Sequence, residues 1–272
     1  MDDLVARLRA AGCVFAAEEA AVLLDAATSP EELEAMTVRR IGGEPLEQIV
    51  GWASFAGLRV RLLPGVFVPR RRSELMVRLA VERLRPENGP IGRHEAADTR
   101  IDAPGPADRS VLRVVDLGCG SGAIGAAVAA KVPDAEVWAV DIDPDAVTCA
   151  RLNLPPHRVL FGDLYAPLPG RLRADVICAN APYVPIREIA LLPGEARDHE
   201  HRVALDGGDD GLAVQRRVVA GAGAHLTDAG VLLIETSRNQ ADSTRRLAEA
   251  SGMKATIHTD DTVDGTVVEF RR

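Results

Sequence analysis

Residues 114–125, "VVDLGCGSGAIG", run Val114-Val115-Asp116-Leu117-Gly118-Cys119-Gly120-Ser121-Gly122-Ala123-Ile124-Gly125. The stretch reads as a strand, a glycine turn and the start of a helix. Gly118, Gly120 and Gly122 let the backbone approach a ligand at points where a Cβ would collide with it. In an open α/β sheet, ligands bind at the carboxyl ends of the strands. Asp141 ends the next predicted strand, 23 residues after Gly118. A carboxylate there can accept both hydroxyls of a ribose.

Two ligands compete for this turn. A dinucleotide site places a short G-x-G-x-x-G directly after its first strand. Here the strand ends in an acid, Asp116, and the pattern is D-x-G-x-G-x-G. A negative charge at the mouth of the turn repels a pyrophosphate and favours the ammonium of a methionine tail, so the reading is S-adenosylmethionine. Gly118, Cys119, Gly120, Ser121 and Gly122, with Asp116 and Asp141, are the candidate cofactor residues. Asp163 ends a third strand, "RVLFG", in "LFGDLY". It suits either an adenine amino group, with Leu164 packing on the ring, or a plain turn aspartate.

Downstream, apolar strands alternate with amphipathic helices. "EVWAVDI", "DVICA" and "GVLLIET" are strands, and "AIGAAVAAKV", "GLAVQRRVVAGAGAHL" and "QADSTRRLAEAS" are helices. That order predicts an α/β, Rossmann-like fold with a mostly parallel sheet covered on both faces. "KATIHTD" and "TVVEFRR", joined through Asp264-Gly265, predict an antiparallel C-terminal hairpin. Upstream, three helical patterns predict a small helical domain over 1–50. In the third, Ser29 is the expected N-cap, Pro30 the first helical residue and Glu32 the capping-box acid. Over 51–72, Leu58, Val60 and Leu62 alternate with arginines and Pro64-Gly65 marks a turn, which predicts a linking β-hairpin. Ser73 is the expected cap of a helix opening the domain over 73–272. Residues 86–110 are rich in Pro, Gly and charge without period and predict a flexible loop.

Of the 272 residues 47% are hydrophobic, enough for a sizeable core, and the net charge is -8. An acidic chain is a poor prior for a nucleic-acid binder. Cys13, Cys119, Cys149 and Cys178 show no zinc or disulfide spacing, which fits a reducing cytoplasm. The N-terminus "MDDLVARLRAAG" has no signal-peptide core, and no apolar run reaches membrane-spanning length. The expectation is a cytoplasmic protein with neither membrane nor metal.

Asn180 ends the fourth strand in "CANAPYVP", residues 178–185. Asn-x-Pro-Tyr suits methylation of a planar amide or amino nitrogen, whose lone pair is delocalised. The Asn180 carbonyl can accept one N–H and the Ala181 backbone carbonyl the other. Pro182 keeps Ala181 extended, and Tyr183 can stack on the planar group. Catalysis would be positional and electrostatic.

Together these residues resemble the HemK/PrmC family of protein-(glutamine-N5) methyltransferases. "GEPLEQIVGWASFAGLRVRLLPGVFVPRRRSE" is similar to its segment ending IPRPDTE, "DLGCGSGAIG" to its cofactor loop, and "NAPYVP" to its NPPY motif. "ARDHEHRVALDGGDDGL" and "ETSRNQ" are similar to two further blocks, in order. The resemblance implies a substrate-docking helical domain before a class I methyltransferase domain, and methyl transfer to a glutamine side chain. The protein partner would be a release factor, at its Gly-Gly-Gln loop, or a ribosomal protein. It makes Asn180 a contact of both cofactor and substrate, Leu164 an adenine contact, and Asn180, Ala181, Pro182 and Tyr183 the glutamine pocket. NPPY has become NAPY, which keeps the backbone acceptor. IPRPDTE has become Val68-Pro69-Arg70-Arg71-Arg72-Ser73-Glu74, a change that bears on the protein substrate. The arginine run reads as a solvated charged surface, and His199, Glu200 and His201 as loop surface. Asn-x-Pro-Tyr also suits exocyclic amines of nucleic acid, and a non-catalytic S-adenosylmethionine-binding module is a third reading.

Overall fold

The structure, a computed structural model, describes residues 1–85 and 111–272. The loop expected at 86–110 lies outside the described residues. Among them, seven strands form one sheet in the order β5-β4-β3-β6-β7-β9-β8. The strands are β3 (Arg113–Leu117), β4 (Glu136–Asp141), β5 (Val159–Phe161), β6 (Ala174–Ala179), β7 (Leu226–Glu235), β8 (Lys254–Asp260) and β9 (Gly265–Arg271). β3 to β7 are mutually parallel, and β9 runs antiparallel to both β7 and β8.

Period-two burial explains why the strands read as continuous apolar runs. Val114, Cys178, Leu233 and Val267 join one core cluster, while Val115, Ile177, Leu232 and Val268 join the other. Successive side chains of a strand point to opposite faces, and helices cover both. α5 (Glu74–Leu84), α6 (Ala123–Lys131) and α7 (Pro144–Ala150) contribute to the first cluster. α9 (Ala213–His225) and α10 (Ala241–Ser251) contribute to the second. A short helix, α8 (Gly194–His199), stands in the long connection after β6. β7 begins four residues before the expected "GVLLIET", and Gly230 packs there against the Ala174 carbonyl.

Residues 2–50 hold α1 (Asp2–Ala10), α2 (Ala16–Ala26), α3 (Pro30–Ile41) and α4 (Leu46–Val50). They enclose a separate small core of Leu4, Leu8, Ala20, Leu23 and Ile49. Ser29 caps α3, its Oγ accepting the Glu32 N–H at 3.1 Å. Glu32 reaches back one residue beyond the expected partner and accepts the Thr28 N–H at 2.7 Å.

Two local expectations are corrected. β1 (Trp52–Phe55) and β2 (Leu58–Arg61) form the hairpin, so it turns at Ala56-Gly57 rather than at Pro64-Gly65. Ala56 and Gly57 both have positive φ (51° and 84°), the geometry a two-residue hairpin demands. Ser73 occupies the N-cap position but does not cap through its side chain: it is the last residue of a 3-10 turn over Arg71–Ser73, and its hydroxyl makes no bond to the helix. That hydroxyl faces the carboxyl ends of the strands instead.

Phe270, on β9, is fully buried in the cluster under α9 and α10. Phe270→Ala is expected to lower unfolding free energy by about 3–5 kcal/mol, read as a lower urea midpoint with unchanged slope.

Candidate active site

A cavity of about 710 Å³ opens where β3, β4, β5 and β6 end. This is a ligand-sized volume. Gly118, Gly120 and Gly122 turn there with φ of 65°, 54° and 76°. The Gly118 and Cys119 N–H groups donate to the Val140 carbonyl at 2.9 and 3.1 Å, which ties the turn to β4. Asp141 closes the opposite side. Its Oδ2 accepts the Gly120 N–H at 2.8 Å and its Oδ1 the Asp143 N–H at 2.9 Å. Burial raises the Asp141 carboxyl above its ordinary value, and those two amides oppose the shift.

Asp116 lies elsewhere than at the mouth of the turn. It is wholly buried beneath it, outside the cavity lining, with Oδ2 accepting the Gly125 N–H at 3.0 Å and Oδ1 unpartnered. Burial pushes its carboxyl up to about 7. Cys119 and Ser121 line the cavity and are buried. The Ser121 carbonyl accepts the Asn153 Nδ2 at 2.9 Å. Asp163 and Leu164 line the cavity too. Asp163 is paired with Arg217 of α9 at 2.5 Å, and Leu164 holds a positive φ of 50°.

Asn180, Ala181, Pro182 and Tyr183 form the wall beyond β6. Asn180 Nδ2 donates to Ser73 Oγ at 3.2 Å, which leaves the side-chain oxygen as its free end. The two blocks that follow in sequence buttress this wall. Gln240, from "ETSRNQ", donates through Nε2 to the Tyr183 carbonyl at 3.0 Å. Gly211, from "ALDGGDDGL", lies so close that a Cβ would stand 2.3 Å from that same carbonyl. Val184 pairs with Asp206 in a parallel bridge. Burial raises the Tyr183 hydroxyl to about 12, with the Glu235 charge adding to the shift.

The arginine run is corrected in the same region. Only Arg71 is exposed. Arg70 pairs at 2.5 Å with Glu200, whose side chain is fully buried and also accepts the Val68 N–H. Arg72 pairs at 3.3 Å with Glu235, 1% exposed, and lies 5.8 Å over the Tyr183 ring. Glu200 is therefore no surface residue; burial raises its carboxyl, and Arg70 opposes this most. His201 is half-buried, 2.6 Å from the Asp143 carboxylate, and its N–H donates to the Gly65 carbonyl. Arg70, Arg72, Ser73, Glu200 and Glu235 were thus missed as site residues. A glutamate ending the apolar run "GVLLIE" was the available signal, since a charge there needs a partner.

A parallel sheet with an antiparallel pair at one edge, glycine turn and carboxylate on adjacent strands, is the arrangement of class I S-adenosylmethionine-dependent methyltransferases. The structure of T. thermophilus 16S rRNA N2 G1207 methyltransferase (RsmC), in complex with AdoMet and guanosine, shares this fold. It superposes with a TM-score of 0.52 at 23% identity, over 81% of this chain and 50% of that one. Residues 106–191 match the methyltransferase small domain family. The release factor glutamine methyltransferase of Gloeobacter violaceus is 36% identical over 236 residues, 84% of this chain and 74% of that protein. Its counterpart in Geobacter sulfurreducens is 36% identical over 238 residues, 85% and 75% of the two chains. The chain belongs to the release factor glutamine methyltransferase family. Among the described residues no helix is long and apolar enough to cross a membrane.

Asp116 supplies a test on stability. Its carboxyl titrates near 7 in the fold, against about 3.9 in an unfolded chain. As pH rises through that interval the unfolded state releases a proton that the folded state keeps, so stability falls. Asp116→Asn is expected to remove this part of the slope, up to about 1.4 kcal/mol per pH unit. Urea unfolding of both proteins at a series of pH values from 4 to 8, on the order of one unit apart, reads the difference.

Proposed function

We propose that this enzyme transfers a methyl group from S-adenosylmethionine to the side-chain amide nitrogen of a glutamine in a peptide chain release factor. The observation that carries the reading is the orientation of Asn180. Its amide nitrogen is taken up by Ser73, so a carbonyl oxygen is what the side chain can offer to an incoming N–H. The family and the names of its members supply the release factor.

The residues present fit the cofactor. Three glycines with positive φ lie beside a half-buried carboxylate whose two oxygens each retain a lone pair. Bound there, S-adenosylmethionine supplies an electrophilic methyl group. Gly118, Cys119, Gly120, Ser121 and Gly122 would hold it along the turn, and Asp141 would accept the ribose hydroxyls. Asp116, buried under the turn with one free oxygen and its carboxyl raised to about 7, would be drawn toward its charged form by the ammonium above it. Leu164 would pack on the adenine. Asp163, already engaged by Arg217, would have its second oxygen for the amino group.

Asn180 Oδ1 and the Ala181 carbonyl would accept the two N–H groups of the glutamine amide. That fixes the nitrogen and directs its lone pair at the methyl carbon. Pro182 holds the Ala181 carbonyl in place, and Tyr183 would stack on the amide plane. Neither Asn180 nor Tyr183 is a base at neutral pH, and Tyr183 is held further from ionisation by burial. The proton lost as the C–N bond forms and the methyl–sulfur bond breaks, leaving a neutral thioether, would pass to water. The reaction rests on positioning, with fixed acceptors stabilising positive charge as it grows on nitrogen.

Asn180→Ala is expected to lower transfer to a release factor by about 10²-fold or more, with S-adenosylmethionine affinity within about tenfold. Label incorporation and calorimetry measure the two. Near-normal turnover in the mutant would remove Asn180 from the mechanism. Label appearing only in ribosomal protein or nucleic acid would overturn the substrate.

A further inference from the structure

Arg72 belongs to a charged run, yet it is built into the lining of the cavity. It immediately precedes Ser73, the partner of Asn180, and its guanidinium carbon lies 5.8 Å over the Tyr183 ring. A guanidinium carries five N–H donors and no acceptor. One of them is spent: Nε donates to Glu235 Oε1 at 3.3 Å. Nη1 and Nη2 hold the others. They have no acceptor among the described residues, and neither is enclosed.

Two other ion pairs show that a buried glutamate does not by itself impose this arrangement. Arg83 meets the buried Glu269 through Nη2 at 2.9 Å, with its own side chain 18% exposed. Arg70 meets the buried Glu200 through Nη2 at 2.5 Å. Each turns the end of its fork to the carboxylate. Arg72 turns its Nε flank to Glu235 instead, and its side chain is 40% exposed. Glu235 stands outside the cavity lining and Arg72 within it. The charge is neutralised from behind, and the fork is left on the cavity side.

Charge balance limits what the fork can take. Arg72 with Glu235 is neutral, as is Arg70 with Glu200, and the whole chain carries a net charge of -8. A second carboxylate would leave two acids sharing one guanidinium. A neutral acceptor meets no such repulsion. In a protein substrate the neutral acceptor present at every residue is the main-chain carbonyl. One carried into the cavity beside the glutamine loses water and needs a donor.

We infer that Arg72 is a substrate-binding residue, which donates through its terminal nitrogens to a main-chain carbonyl of the protein substrate next to the target glutamine. Such a contact reads the path of the chain rather than its side chains. The inference rests on the glutamine reading above, and extends it from the amide to the backbone that carries it.

The test uses the full-length enzyme with a full-length release factor. Arg72→Lys keeps a cation beside Glu235 and loses the fork. Arg72→Met combined with Glu235→Gln removes both charges together, so no buried carboxylate is left unpaired. Each variant is expected to raise KM for the release factor about tenfold. kcat is expected to stay within about threefold and S-adenosylmethionine affinity within about twofold. A readout indifferent to mere packing is inhibition by a peptide spanning the target glutamine, in which each carbonyl flanking that residue is replaced in turn by a neutral alkene isostere. One replacement is expected to weaken inhibition of the unsubstituted enzyme about tenfold and to cost Arg72→Lys no more than about twofold. Unchanged KM in both variants, a loss confined to kcat, or equal sensitivity of both enzymes to every replacement would each overturn the contact. Should one variant fail to bind S-adenosylmethionine, the other decides; should the peptide fail to inhibit, the KM values decide. Absence of transfer by the unsubstituted enzyme would strike the glutamine reading itself, before any variant is compared.

Discussion

Asp141 ends its strand with both carboxylate oxygens committed to backbone amides, Gly120 on one side and Asp143 on the other. The glycine turn after β3 and the turn after β4 are thereby held by a single side chain. A carboxylate drawn partly out of water is costly unless its lone pairs are satisfied, and two N–H groups meet part of that need. The rest of the cavity is built outward from this clamp. The turn it fixes runs close beside the next wall: a Cβ added at Gly118 would stand 3.9 Å from the Asn180 carbonyl oxygen. The Asn-x-Pro-Tyr wall is in turn buttressed by Gln240 and Gly211. Loss of the clamp would therefore be felt at the far wall as well as beside Asp141.

How far the site could be read from the chain depends on how far apart its partners lie. The glycine turn, Asp141 and Asn180 were legible because each stands at the end of a short apolar run, and such ends share one rim of a parallel sheet. Arg70, Arg72, Glu200 and Glu235 were not. Their ion pairs join residues 130 and 163 positions apart, and nothing local distinguishes such arginines from a solvated run. Ser73 misled for a related reason. Serine before an apolar helical pattern has the local signature of a cap, yet a tertiary partner, Asn180, took the hydroxyl. The hairpin was read at the proline because Pro64-Gly65 is conspicuous. The working turn uses Ala56, a residue that rarely adopts positive φ.

Gln48 and Arg40 tie the helical unit to the segments beside the sheet. Gln48 of α4 donates through one amide nitrogen to the carbonyls of Val66 and His199. Arg40 of α3, almost fully buried, binds Glu19 within its own unit and Glu195 of α8. α8 belongs to the connection that also carries Glu200, the partner of Arg70. A load on the helices would thus reach the same segment that holds one wall of the cavity.

β9 lies inside the sheet, between β7 and β8, although it follows both in the chain. Until residues 265–271 have been synthesised, β7 has only one neighbour, and its free edge carries Leu232, Leu233 and Ile234. Glu235 sits at the end of that edge, paired in register with Val267. The rim of the cavity therefore reaches its final geometry late in vectorial synthesis, after the turn, the clamp and the Asn180 wall have all emerged. Until then the nascent chain presents an unpaired apolar strand, the type of edge that chaperones bind and that neighbouring chains extend.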